Sequence, residues 1–166
     1  VADLLGDAPP LDDPVGRRHE AVLGDLRLSI GNLKGPSTAL GTGQPTAVIY
    51  RAKAKEKAPK KFYSGIMRDG YEMESVAVVK DAKVEVKIDA AGKRYIVEAA
   101  IPLAALDFKP AAGLELTGDF GVTHGDKGGN DTALRTYWSN QAVGIVNDEV
   151  FELKLEPKNW GEITFK

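Results

Sequence analysis

The stretch Arg135-Thr136-Tyr137-Trp138-Ser139-Asn140-Gln141 places two aromatic rings among a guanidinium, hydroxyls and amides. Those groups suit a sugar, because a ring stacks on the apolar C–H surface of a pyranose while guanidinium and amide groups bond its hydroxyls. At the two-residue period of a strand, Arg135, Tyr137 and Ser139 share one face, and Thr136, Trp138 and Asn140 share the other. Either face, if exposed, offers an aromatic ring with polar neighbours. The candidate ligand-binding residues are therefore Trp138, Arg135, Tyr137, Asn140 and Gln141. A lone Trp on a strand is also commonly core, and the sequence leaves both roles open for Trp138. Trp160, in Asn159-Trp160-Gly161, reads as a structural plug.

A second polar cluster precedes this stretch. His124-Gly125-Asp126-Lys127-Gly128-Gly129-Asn130-Asp131 concentrates carboxylate and amide oxygens on a glycine-rich loop. Hard oxygen ligands of that kind are what calcium takes, with Asp126, Asn130 and Asp131 as the candidate ligands. The alternating pattern of an EF-hand is absent, and the commoner role of such a loop is a turn whose Asp and Asn bond their own backbone. No other cofactor is expected.

Catalytic signatures are scarce. The chain has no nucleophile elbow, phosphate loop, zinc-protease helix or dinucleotide fingerprint. The two histidines, His19 and His124, lie far apart, and no particular serine is nominated as a partner. A non-catalytic role is the expectation. Arg51–Lys61 holds six of the 22 basic residues. With no interleaved aromatics, that run reads better as the solvated side of an edge strand and its loop than as an anion patch.

These residues need elements to hold them. Asp25–Ile30, Ala47–Tyr50, Val84–Ile88 and Tyr95–Ile101 alternate apolar with polar or carry β-branched runs, which predicts strands. Asp89–Lys93 predicts a hairpin turn between the last two. Leu114–Thr123, Leu134–Ser139, Val150–Leu155 and Glu162–Phe165 complete the strand candidates. Pro102 stands at the first position of a single helical turn over Leu103–Leu106. No longer helical periodicity exists. The expected fold is all-β, an antiparallel β-sandwich, with residues 1–23 mostly loop or a partial edge strand near Val1–Leu5.

The 166 residues suit one domain of residues 1–166, and 22 basic against 24 acidic residues give a net charge of −2. That balance argues against non-specific binding to nucleic acid or an anionic membrane. Without cysteine the chain has no disulfide framework, thiolate metal site or cysteine nucleophile. No apolar run approaches the roughly 18 residues that span a bilayer.

From Tyr95 onward the chain resembles the family 9 carbohydrate-binding modules, within the wider DOMON-like β-sandwiches. The similarity rests on Tyr95-Ile96-Val97-Glu98-Ala99-Ala100-Ile101-Pro102, then Leu106–Pro110, Gly118–Val122, Tyr137–Asn140 and Asn159-Trp160-Gly161 with Ile163 and Phe165. The resemblance implies a jelly-roll or immunoglobulin-like sandwich and a non-catalytic module that binds a polysaccharide or oligosaccharide. It also implies an extracellular or periplasmic setting in a larger exported bacterial protein. Family members clamp sugar chain ends between two tryptophans; here no Trp precedes Trp138, and Ile145–Leu155 offers only Phe151. The family also opens with strands that have no counterpart ahead of Val1, so neighbouring residues or another domain are expected to cover that edge. Two further readings stay open. One is an interaction domain that packs on neighbouring domains of a larger chain. The other is a haem-binding electron-transfer domain, for which Met67, Met73 and His124 are the available axial ligands.

Overall fold

The computed structural model describes residues 2–4, 20–31, 44–63, 70–89, 91, 94–126, 132–140 and 154–166. The chain is an all-β, antiparallel sandwich that does not close into a barrel. Its strands are β1 (Ala2–Leu4), β2 (Leu26–Gly31), β3 (Thr46–Arg51), β4 (Lys60–Phe62), β5 (Tyr71–Met73), β6 (Ser75–Val78), β7 (Lys83–Asp89), β8 (Arg94–Ala100), β9 (Glu115–Gly125), β10 (Thr132–Tyr137) and β11 (Gly161–Thr164). One helical turn, α1 (Leu103–Leu106), and a 3-10 turn at Pro157–Asn159 join them. Pro102 caps α1 instead of opening it, one position earlier than the sequence suggests.

The main sheet runs β10-β9-β1-β2-β3-β6, with β11 also on β9. β1 pairs with β2 on one side and β9 on the other. The partial edge strand expected there is an inner strand instead, because its three residues bridge two longer strands and leave no free edge. β7 and β8 form a separate ribbon, Lys83↔Ala100 to Asp89↔Arg94, while most of the turn expected at Asp89–Lys93 lies outside the described residues. β4 and β5 form a second short ribbon.

Both faces of the β2–β3 pair are covered. Leu26, Leu28, Ala47 and Ile49 bury one face under Leu106, with Ile101, Ala105 and Phe108 packed around it. A buried Leu of this kind contributes about 1.5–3 kcal/mol through apolar area removed from water. On the other face Ala52, Met73, Leu155 and Trp160 form a second cluster with Tyr50, Phe62 and Tyr71. The strict alternation of β2 suggests a solvated polar face, yet Asp25 and Arg27 are buried there. They are enclosed because the β4–β5 ribbon and residues 155–160 close over that side. Arg27 points a guanidinium nitrogen at the Lys154 carbonyl, 3.5 Å away. Burial raises the phenol pKa values of Tyr50 and Tyr71, and the Arg27 charge works against that rise in both.

Candidate functional site

β9 and β10 form a long ribbon whose register sets Leu134 opposite His124, Thr136 opposite Val122 and Tyr137 opposite Gly121. Residues opposite each other share a face. One face therefore carries Phe120, Val122 and His124 beside Leu134, Thr136 and Trp138. This face is exposed: Phe120 is 57%, Val122 42%, Leu134 55% and Trp138 47% accessible. The Phe120 and Trp138 rings lie 5.6 Å apart, centre to centre, and within 14° of parallel. The His124 Nε2 atom is 3.2 Å from the Thr136 hydroxyl, which places two hydrogen-bonding groups beside the apolar surface.

Three devices hold this face. The Trp138 N–H donates to the Phe120 carbonyl at 2.9 Å, carrying the ladder one residue past β10. The buried Asp119 carboxylate then accepts the backbone N–H groups of Phe120 (2.9 Å), Ser139 (2.8 Å) and Asn140 (3.0 Å). Charge-assisted bonds of that kind are about twice as strong as neutral ones. Finally, Gly161 opens β11 directly under the Trp138 ring, where an added Cβ would lie 2.8 Å from Cη2 and Cζ3.

The ribbon separates the residues that the sequence grouped as ligand contacts. Trp138 stands on the exposed face. Arg135 is buried and Tyr137 half-buried on the opposite face, where the Tyr137 ring covers Gly121. A joint Arg135–Trp138 grip is not formed, since a period of two sends their side chains apart. Asn140 is half-buried past the end of β10, its backbone tied to Asp119. Gln141 lies outside the described residues. So do Asn130 and Asp131, while Asp126 is half-buried at the end of β9. Among the described residues no group of three His, Asp or Glu converges as a metal site.

Met73 is fully buried beside Leu155 and Trp160, whereas His124 is exposed and bonded to Thr136; Met67 lies outside the described residues. Trp160 is 4% accessible and fills the second core cluster, as a structural plug does. The basic run is largely matched by acidic partners. Lys53 and Lys57 reach Glu74 (3.7 and 3.0 Å), Lys55 reaches Asp107 (3.0 Å) and Lys61 reaches Glu72 (3.8 Å). Glu74 also accepts the Ala54 N–H at 2.9 Å. That hydrogen bond, followed by the one from Lys57, holds the Glu74 carboxyl below its usual range.

Sequence reasoning missed Phe120 and Asp119. Phe120 becomes a partner of Trp138 only through the β9–β10 register, which no local pattern encodes. Asp119 shares the Gly118–Val122 stretch, but its role depends on a turn some twenty residues later. No family model, curated protein or solved structure matches the chain. Among the described residues no helix is long and apolar enough to cross a membrane.

Proposed function

We propose that this chain is a non-catalytic carbohydrate-binding module that seats a polysaccharide or oligosaccharide on the exposed Phe120–Trp138 pair. The observation that carries the reading is that pair itself: two nearly parallel aromatic rings left in water, with polar groups beside them. Exposing such rings forfeits burial energy, and a contiguous exposed apolar surface commonly marks a binding site. A pyranose would lay its C–H face on the open side of the stacked pair and hydrogen bond to Thr136 and His124. The similarity of Tyr95–Phe165 to family 9 modules supports the same ligand class and an extracellular or periplasmic setting. Titration with soluble cello-, xylo- and manno-oligosaccharides, followed by calorimetry and Trp emission, tests the reading. Trp138→Ala and Phe120→Ala are each expected to weaken binding about ten-fold or more, as loss of a central aromatic contact does. Failure of the wild-type chain to bind any glycan overturns it.

The competing reading is a docking surface for a neighbouring domain, favoured by the purely apolar Val122 and Leu134. Val122→Thr with Leu134→Thr separates the two. Glycan binding should survive that change, whereas docking of a protein partner should not.

A further inference from the structure

A cleft of about 890 Å3 lies between the end of β3 and α1. Its charged lining is Arg51, Lys53, Lys55 and Lys109 against Glu56 and Asp107, an excess of two cations. Arg51 is half-buried, and its Nη2 donates to the Ala105 carbonyl at 3.3 Å. Among the described residues neither Arg51 nor Lys109 forms an ion pair. Burial lowers the Arg51 pKa, and the charge of Asp107 opposes that only in part. The guanidinium is thus partly stripped of water without an anion in contact. The Lys55–Asp107 pair at the same cleft is solvent-exposed on both sides, so a competing anion can exchange into it readily.

We propose that this cleft binds a carboxylate-bearing ligand, gripped by the Arg51 guanidinium with Lys109 and Lys55 supplying further positive charge. A guanidinium presents parallel N–H groups at the spacing of a carboxylate, which a lone ammonium does not. Glu56 and Asp107 in the same lining oppose a phosphate, which would bring more than one charge to the Arg51 position, and favour a carboxyl group, which brings one there. Leu106 and Phe108 supply an apolar wall for the body that carries the carboxylate. The carboxylate has two sources, an acidic sugar or a free small acid, and the test distinguishes them.

The test is an amide and side-chain NMR titration of the whole 166-residue chain. The probes are trigalacturonate, its methyl ester and acetate. Trigalacturonate should shift Arg51 Nε and the backbone amides of Ala105 and Lys109, and the uncharged ester should not. Arg51→Lys keeps the charge without the fork and should weaken binding about ten-fold. Because Arg51 also ties down α1, Lys109→Glu provides a second variant on an exposed side chain. It should fold normally and weaken binding about five-fold or more. Acetate that binds as tightly as the trimer assigns a free acid as the ligand, and a much tighter trimer assigns an acidic sugar; either supports the cleft. Trp138→Ala should leave these shifts unchanged, which keeps this cleft distinct from the aromatic face. Absent shifts at Arg51 and Lys109, equal binding of the ester, or an unchanged affinity in Lys109→Glu overturns the proposal.

Discussion

Replacing Asp119 by alanine removes the acceptor for three backbone N–H groups, those of Phe120, Ser139 and Asn140. Asp119 itself is 3% accessible, whereas Ser139 and Asn140 are half-buried, so water can recover part of what is lost. A buried donor left unsatisfied costs about 1–3 kcal/mol. With Phe120 exposed and Ser139 and Asn140 half-buried, each donor pays a fraction of that penalty, and the expected destabilisation is about 1–3 kcal/mol. In a chain of this size each kcal/mol lowers Tm by about 2–4 °C, so calorimetry should show a fall of roughly 2–12 °C. Urea unfolding should give the same free energy with an unchanged slope. The loss should centre on the turn after β10, so Trp138 emission should redden below the unfolding transition while Trp160, deep in the core, keeps its environment. Asp119→Asn retains an acceptor oxygen and should fall between the two. A destabilisation below about 0.5 kcal/mol, the size typical of an ordinary surface substitution, would refute the idea that this carboxylate organises the turn.

Other expectations follow from the same geometry. Gly161→Ala pushes a methyl into the Trp138 ring, which can swing outward because it is half exposed; stability should fall by about 1 kcal/mol or less, yet Trp138 emission and glycan affinity should both change. Gly121→Ala meets the Thr136 carbonyl at 2.7 Å and the Tyr137 ring at 2.5 Å. Backbone cannot yield as a free side chain does, so chemical unfolding should report a loss of about 3 kcal/mol. Glu74 has a lowered folded-state pKa, so its contribution is complete above the ordinary carboxyl value of 4.5 and fades as pH falls through the lower folded value. NMR should find the Ala54 amide bond to Glu74 intact from pH 7 to 5 and lost on further acidification, with that dependence absent in Glu74→Gln.

What was legible in the sequence was the structure that local pattern determines. Val84, Val86 and Ile88 alternate strictly against Glu85 and Lys87, and Tyr95–Ala100 pairs back beside them, so the β7–β8 ribbon was readable. Leu103–Leu106 after Pro102 was readable for the same reason. β4, β5 and β6 were not, because three or four residues carry too little periodicity; they exist because the second core cluster gathers Phe62, Tyr71, Met73 and Val76 around Trp160. The burial of Arg27 was hidden by the same cover, which arrives from distant parts of the chain. The candidate site divides along this line. Trp138 was visible as a residue type, whereas its separation from Arg135 and its stacking on Phe120 follow from strand register.

β9 is also a late meeting point for the chain. It pairs with Ala2–Leu4, with Thr132–Tyr137 and with Gly161–Thr164, and Gly118 alone faces Leu4 on one side and Gly161 on the other. During synthesis β1 must wait for more than a hundred further residues before its β9 partner exists, and β9 must wait again for β11. Pairings this distant in sequence carry a large loop-closure cost and slow folding towards the millisecond-to-second range. In that interval the apolar face of β2 and an unpaired strand edge are open to other molecules. Yield during expression should therefore depend on temperature and chaperone supply more steeply than the stability of the finished fold would suggest.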